Sequence, residues 1–493
     1  MLGDWSSYEP PVFVAAGSGL VSGEAAAPSP DDAFTRQKKS LEEMQASWEQ
    51  ALAQPSPAEA FYRLDPGLLS QLGPAAGDAA AAAARLSGGF SLEALEGLVL
   101  LRNPGIAAAG ARLRGAIQQY SQVSALDDVL RQYSAFTESL MTGVGPMKGR
   151  EPIDKRFPFP GVLALKGEVV TQAVTAEREK LEIARRSALT MARKACWSLT
   201  FSHQASRIMD RMLGLLRHLE AVAATRYETG KTSFQDVIKV RIRRETAEDE
   251  LRTIAENTAT LRARIRELVD LPPDAAIGAP LLAEPAGWTA RPEALYPVAL
   301  QRRQEIRWLE AGIARMERMI ELAETMIYPT DTPGWSFYDD EAVNQVGSAA
   351  MQEPFGVTTT ASMGAGLPKM PWIGTNDAYL REARQQLAAM KSELRKLKDA
   401  TLSGVREAWF RLDKARRQRE LHRDRIVGLS QAALDVATRG YETGSVGFAD
   451  VIASYADWLS ANLAAERARG DVGAALAELE EMVGLSPLVA NNP

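Results

Sequence analysis

Few residues in this chain of 493 could carry out chemistry, and their spacing argues against catalysis. The three histidines, His203, His218 and His422, are scattered, and no pair has the four-residue spacing that holds zinc on one helix face. The single cysteine, Cys196, lies in a strongly helical stretch, where we expect a small core residue. The sequence therefore predicts no catalytic residue, no cofactor and no metal site, and we do not expect an enzyme.

Two further kinds of ligand are also disfavoured. Gly230-Lys231-Thr232 superficially resembles a phosphate-binding loop, but Thr225 stands where that loop needs a glycine, and a helix rather than a strand precedes it. The formal net charge is −6 and the sequence pI is about 5.5, so the chain offers no basic face to nucleic acid. We expect no nucleic-acid partner.

The acidic residues that stand out are Asp236 and Asp450, each placed just after a predicted tight turn. Gly230 and Gly444 are expected to end the preceding helices in the left-handed conformation. The stretch from Ser233 to Asp236 is typical of a capping box, with the carboxylate facing the positive end of the next helix dipole. Helix capping is therefore the simplest role for both carboxylates.

These two turns belong to an internal repeat. The residues at 226–230 and 234–238, RYETG and FQDVI, return 214 positions later as GYETG and FADVI at 440–444 and 448–452. The match continues without a gap from residue 210 to residue 273 in the first copy. Two copies of one helical unit therefore make up most of the chain.

The elements that carry the turns are predicted to be very long helices. Ala, Leu, Glu, Arg and Gln, which favour helix, are abundant, and aromatic residues make up only 7% of the chain. The stretches 171–226 and 376–439 contain no proline, so each could be one helix about 80 to 95 Å long. Apolar residues three and four positions apart predict coiled-coil seams with the returning helices 233–270 and 448–484. An ordinary coiled-coil rod is the alternative on periodicity alone.

The paired turns resemble the helix-turn-helix tips of TolC-like outer membrane factors, the outer membrane efflux protein family. Asn103-Pro104-Gly105-Ile106 is similar to the start of that family's first long helix. Phe157-Pro158-Phe159-Pro160-Gly161 is similar to the equatorial start of the next one, and Pro371-Trp372-Ile373-Gly374 falls at the matching place in the second copy. The resemblance covers about residues 91 to 487.

The resemblance implies an all-α dominated fold. Long antiparallel coiled-coil helices in two structural repeats would form a trimeric α-barrel, with a small β-barrel part that is either incomplete or absent. We predict a Pro/Ala-rich N-terminal extension at 1–90, TolC-like helical repeats at 91–298 and 299–487, and a C-terminal tail at 488–493.

The membrane-embedded part of such a protein is the least regular in this sequence. No apolar run reaches 18 residues, so we expect no spanning helix, and insertion would need strands at 121–156 and 329–370. Residues 355–365 alternate like a strand, whereas 124–143 have helical spacing. No basic-then-apolar leader is visible at the N-terminus. Two locations stay open: outer membrane and periplasm, or soluble in the periplasm.

The resemblance also assigns roles to tip residues. Asp450 matches a family position whose carboxylate lines the closed channel entrance, and Asp236 and Tyr441 match positions that lock neighbouring tips; Tyr227 is the first-copy counterpart of Tyr441. Ala453 stands in place of a second acidic ring and Val446 in place of a basic lock residue, which predicts a gate that is weaker, or set differently, than in the family's best-known members. The expected docking surface for a periplasmic adaptor comprises Thr229, Gly230, Lys231, Ser233, Thr443, Gly444, Ser445 and Phe448.

The function implied is that of an outer membrane factor-type channel subunit. As a homotrimer it would form a periplasmic duct for efflux or export, together with an inner-membrane pump and an adaptor. The alternative is a barrel-less periplasmic TolC-like scaffold or spacer protein.

Overall fold

The computed structural model describes residues 30–53, 61–62, 65–123, 160–230, 232–281, 284–285, 291–327 and 373–486. These residues are almost entirely helical and contain no strand; the one β-bridge among them joins Phe90 to Pro280. The all-α prediction is confirmed for this part of the chain. None of the described helices combines the length and apolar character needed to cross a bilayer.

The N-terminal extension packs on the main body where it is described. It contains helices α1 (Pro30–Ala53), α2 (Pro66–Gly77) and α3 (Ala79–Ser87). Leu41 of α1 is buried and lies so close to Gly167 that a β-carbon at that glycine would clash with it. The described part of the extension therefore packs against the helix that contains Gly167, which is the longest among the described residues.

The first repeat contains α4 (Leu92–Arg102), α5 (Pro104–Ile117), α6 (Pro160–Glu228) and α7 (Phe234–Val269). The predicted helix start at Asn103 is confirmed, because its side chain accepts a hydrogen bond from the Ile106 amide at 3.2 Å; the Ser91 hydroxyl caps α4 in the same way, accepting from the Ala94 amide at 3.2 Å. The 69 residues of α6 span about 100 Å. No compact domain has a helix of that length.

The second repeat contains α8 (Pro292–Arg302), α9 (Gln304–Ile327), α10 (Ile373–Leu421), α11 (Val427–Thr443) and α12 (Phe448–Val483). A single π turn, His422–Ile426, joins α10 to α11 without a break. The long helix predicted over 376–439 is therefore confirmed, although no residue pattern indicated its π turn.

Beyond the two turns the four long helices form one layer in the order α7, α6, α12, α11, and at the turns the end of α11 also contacts the end of α6. α7 lies along α6, where the hydroxyls of Ser202 and Thr258 are 2.6 Å apart. α12 lies between α6 and α11: the Tyr455 hydroxyl donates to the Met212 carbonyl at 3.0 Å, and the Trp458 indole donates to Gln431. The returning helices α7 and α12 bury apolar residues mostly three or four positions apart, as coiled-coil seams require; these are Ala247, Ile265, Leu268, Ala461, Ala468, Val472, Ala475 and Leu479.

A buried ion-pair network joins the extension and both repeats at the other end of α12. The guanidinium of Arg193 in α6 pairs with the carboxylate of Glu96 in α4 and donates a hydrogen bond to the carboxyl group of Glu480 in α12. The ring of Tyr62 covers it, with the guanidinium 5.5 Å from the ring centroid. Burial raises the pKa of Glu480 to about 8, although the charge of Arg193 acts in the opposite direction.

Several predicted features lie outside the described residues. They are the strand-like and helical segments within 124–156 and 329–370, residues 157–159 and 371–372 of the two equatorial motifs, Lys231, and the tail at 488–493.

Candidate functional site

The two helical turns have the backbone that their glycines predict. Gly230 and Gly444 both adopt positive φ, at 70° and 86°. Their amides donate to the carbonyls of Tyr227 and Tyr441, at 2.9 and 3.1 Å, and so satisfy the ends of α6 and α11. Any residue with a β-carbon would be strained at either position.

The start of α7 differs from the predicted capping box. Ser233 occupies the N-cap, but its side chain makes no capping hydrogen bond. The Asp236 carboxylate instead accepts a hydrogen bond from the hydroxyl of Thr232. The predicted side-chain pairing is therefore wrong, because Asp236 is turned toward the residue that precedes the cap. Its carboxylate still lies in the first turn, where the helix dipole favours it.

Each turn carries a packed pair of aromatic rings, and the two pairs have opposite environments. The ring centroids of Tyr227 and Phe234 are 5.3 Å apart, and those of Tyr441 and Phe448 are 5.5 Å apart. The first pair is exposed, at 47% and 53%, whereas the second is buried, at 2% and 5%. The second pair is buried because it packs into the core cluster shared by both repeats. The first pair has no such cover within the described part of the single chain.

Tyr441 lies at the contact between the turns. Burial raises the pKa of its phenol, and the charge of Asp236 adds to this shift, whereas Arg226 and the hydroxyl of Thr232 lower it. The phenol is therefore neutral at physiological pH. The structure thus brings Tyr441 and Asp236 into electrostatic range, while Tyr227 faces solvent.

Asp450 is an exposed carboxylate of the second turn. It lies in the first turn of α12, its amide donating to the Gly447 carbonyl at 3.2 Å. The structure gives its side chain no ion pair among the described residues. Ala453 is also exposed, one helical turn further on. The charge of Asp450 is therefore available to whatever lies next to the turn.

The predicted docking residues divide between surface and interior. Thr229 and Thr443 are exposed, and each hydroxyl donates to carbonyls in the last turn of its own helix. Phe448 is buried beneath the second turn. The remaining predicted residues with a described environment are exposed; these are Gly230, Ser233, Gly444 and Ser445.

Sequence reasoning did not assign a role to Arg226, which the structure places between the turns. Its guanidinium donates to the Tyr441 carbonyl and lies 4.7 Å from the centroid of the Tyr441 ring. Comparison of the two repeats could have drawn attention to Arg226, because the equivalent residue in the second repeat is Gly440 and the two turns therefore differ at this position.

Part of the chain matches a known protein family. Residues 295–485 match the family described as "Outer membrane efflux protein". BepC, an outer membrane efflux protein of Brucella suis biovar 1, is 23% identical over 302 residues, which cover 61% of this chain and 63% of BepC. The match therefore spans less than two thirds of that relative.

Solved structures show the same fold. The outer membrane protein VceC of Vibrio cholerae superimposes with a TM-score of 0.58 at 15% identity, covering 80% of this chain and 96% of VceC. The CmeC outer membrane channel of Campylobacter jejuni gives 0.58 at 10% identity, covering 80% and 85%. The described part of the chain thus has the TolC-like fold that the resemblance implied, and residues 295–485 match the outer membrane efflux protein family.

Proposed function

We propose that this chain is the subunit of a homotrimeric periplasmic duct for efflux or export, working with an adaptor and an inner-membrane transporter, at the outer membrane and periplasm. The observation that carries the proposal is a pair of uncovered apolar stripes on opposite flanks of the helical layer.

The first stripe runs along α7, the outer helix on one side. Phe234, Ile238 and Ile242 follow one another four residues apart and are all exposed. Together with Tyr227 they form an apolar strip beside the first turn. Exposed aliphatic and aromatic residues in a line indicate a surface that another protein covers.

The second stripe runs along α10 and α11, the outer helices on the other side. Leu429 and Val436, seven residues apart, are 71% and 70% exposed. Leu421 is also exposed, eight residues before Leu429. Because a π turn takes up one extra residue, Leu421 stays near the line of the other two. Seven-residue spacing is typical of a coiled-coil seam.

Two different flanks on one subunit favour head-to-tail assembly. A contact between the α7 flank of one copy and the α11 flank of the next repeats around an axis and closes when the rotation allows. Three copies with four long helices each would give a wall of twelve helices. Such a ring buries both stripes, which the single chain leaves in water.

Subunit mixing tests this arrangement. One variant carries Ile238→Glu and Ile242→Glu, and the other carries Leu429→Glu and Val436→Glu. Each alone is expected to be monomeric, because burying unpaired carboxylates in an apolar contact is costly. In a mixture, the intact α11 flank of the first variant should bind the intact α7 flank of the second. The resulting dimer should add no further copy, because its two outer flanks both carry glutamates. Native mass spectrometry measures the copy number.

The matched control carries Lys239→Glu and Arg243→Glu, each one residue after a substituted isoleucine. Both side chains are exposed on α7 and lie about 100° around the helix from the stripe. This variant adds negative charge to the same helix without touching the apolar stripe, so it should assemble like wild type. Trimers formed by either of the two stripe variants alone, or no dimer in their mixture, would contradict head-to-tail closure.

The turns supply the entrance of the proposed duct. Three copies of Asp450 around a threefold axis would form an anionic ring that attracts cations. Tyr441 and Asp236 would hold the turns of the closed state, and the exposed residues of both turns, with Lys231, would meet the adaptor. BepC and CmeC, named as an efflux protein and a channel, support this assignment by analogy.

A further inference from the structure

We propose that Arg226 ties the two turns of one protomer together and thereby positions the turn that carries Asp450. Its bearing on channel opening rests on the proposed function, whereas the tie itself is a property of the single chain.

Arg226 holds the end of α11 in two ways. Its guanidinium donates to the Tyr441 carbonyl, one of the last carbonyls of that helix, where the dipole is negative. The same cation lies 4.7 Å from the centroid of the Tyr441 ring, within the range of a cation–π contact. One side chain of the first repeat therefore holds both the backbone and the ring of the second turn.

The tie runs in one direction only. The repeat equivalent of Arg226 is Gly440, and a β-carbon there would clash with the Cγ2 atom of Val446. The second turn folds Val446 over this position, so no arginine fits. Consequently the first aromatic pair receives no such contact from the described part of its own chain, which agrees with the exposure of Tyr227 and Phe234.

Arg226 also supplies the positive charge that the second turn lacks at position 446. Position 446 holds valine, which packs against the core cluster between the repeats. A cation still reaches the second turn, but it comes from the end of α6 rather than from the turn itself. The weaker gate predicted from Val446 is thus offset by a contact within the protomer.

A pair of side chains beside the tie gives a direct reporter. The Nε2 atom of His218 in α6 lies 3.9 Å from the Oε1 atom of Glu442 in α11. Cysteines at these two positions, in a Cys196→Ala background, can be joined by a short bifunctional thiol reagent. The rate of joining reports how often the turns of one protomer are together in the full-length protein.

Arg226→Gln is expected to slow this cross-linking about tenfold, because a charge-assisted hydrogen bond and a cation–π contact are both lost. Arg226→Lys should fall between, since it keeps the charge but not the planar fork. Arg439→Gln, which removes an exposed arginine near the second turn, is the matched control and should match wild type. Circular dichroism checks that the helices are retained.

A wild-type rate in Arg226→Gln would overturn the tie. If that variant loses its helical signal, Arg226→Lys is compared with Arg439→Lys, and equal rates overturn it. The cross-linking needs no conduction, so its result is separate from the channel assignment. If cross-linking confirms the contact of Arg226 but the protein does not conduct ions, the proposed duct is contradicted and the proposed role of Arg226 is not.

Discussion

At the residue scale, the two turn carboxylates show how packing divides identical residues into different roles. Asp236 and Asp450 occupy the same place in their repeats, yet Asp236 accepts a hydrogen bond from Thr232 and acts on Tyr441. Asp450 is exposed, and the residue equivalent to Thr232 is Val446, which has no hydroxyl to donate. We therefore expect Asp236 to serve the contact between turns and Asp450 to face the entrance.

Asp450→Ala should reduce the cation preference of the reconstituted protein and raise its conductance, because an anionic ring would be removed. Reversal potentials under a potassium chloride gradient in planar bilayers measure the preference. Asp457→Ala removes another exposed carboxylate of α12, two helical turns further along, and should leave both quantities unchanged.

If neither the cation preference nor the conductance changes, helix capping is the role of Asp450. The variant would then lose about 0.3 to 1 kcal/mol of stability, the contribution of a carboxylate in a first turn, with selectivity and conductance unaltered.

At the element scale, the features that the sequence predicts well are those with local causes. Gly230 and Gly444 dictate left-handed backbone, Ser91 and Asn103 dictate helix starts, and absence of proline allows the long helices. These signals act within a few residues, so the sequence shows them directly.

Features that depend on how one repeat packs on the other were not predictable. Both turns contain a tyrosine and a phenylalanine at the same spacing, yet only the second pair is buried. The motif occurs in both repeats, but the rings of the second copy are buried within the chain and those of the first copy are exposed. The role of Arg226 was missed for the same reason, because its partner Tyr441 belongs to the other repeat.

The network around Arg193 predicts how helix packing responds to pH. Glu480 has a pKa of about 8 in the folded chain, against an ordinary value of 4.5, chiefly because it is buried. Between these values the folded state holds a proton that the unfolded state has lost. Stability should therefore fall as pH rises through this window, by at most about 1.4 kcal/mol per pH unit for this group.

Glu480→Gln should flatten that dependence, because the amide does not titrate. Urea unfolding of both proteins at pH values between the two pKa values measures it, and parallel pH dependences in the two proteins would refute the assignment. Arg193→Gln is the complementary variant: it leaves Glu96 buried without its cation and should cost about 3 to 5 kcal/mol.

At the scale of the whole molecule, the described long helices of the chain form an open layer near the turns rather than a closed body. Its core lies between α6 and its neighbours, and its two outer helices each keep an apolar stripe in water. In the proposed assembly, further copies of the chain complete such a layer into a cylinder. The TolC-like fold of the chain is consistent with that completion.

The most direct test is an electron micrograph of the intact purified protein, averaged to show its cross-section. Head-to-tail closure of three copies gives a threefold tube whose wall contains twelve helices near the turns, with Tyr227 and Phe234 of each copy covered by the next. A solitary particle in which both flanks remain in solvent, or are covered by the same chain, would contradict it.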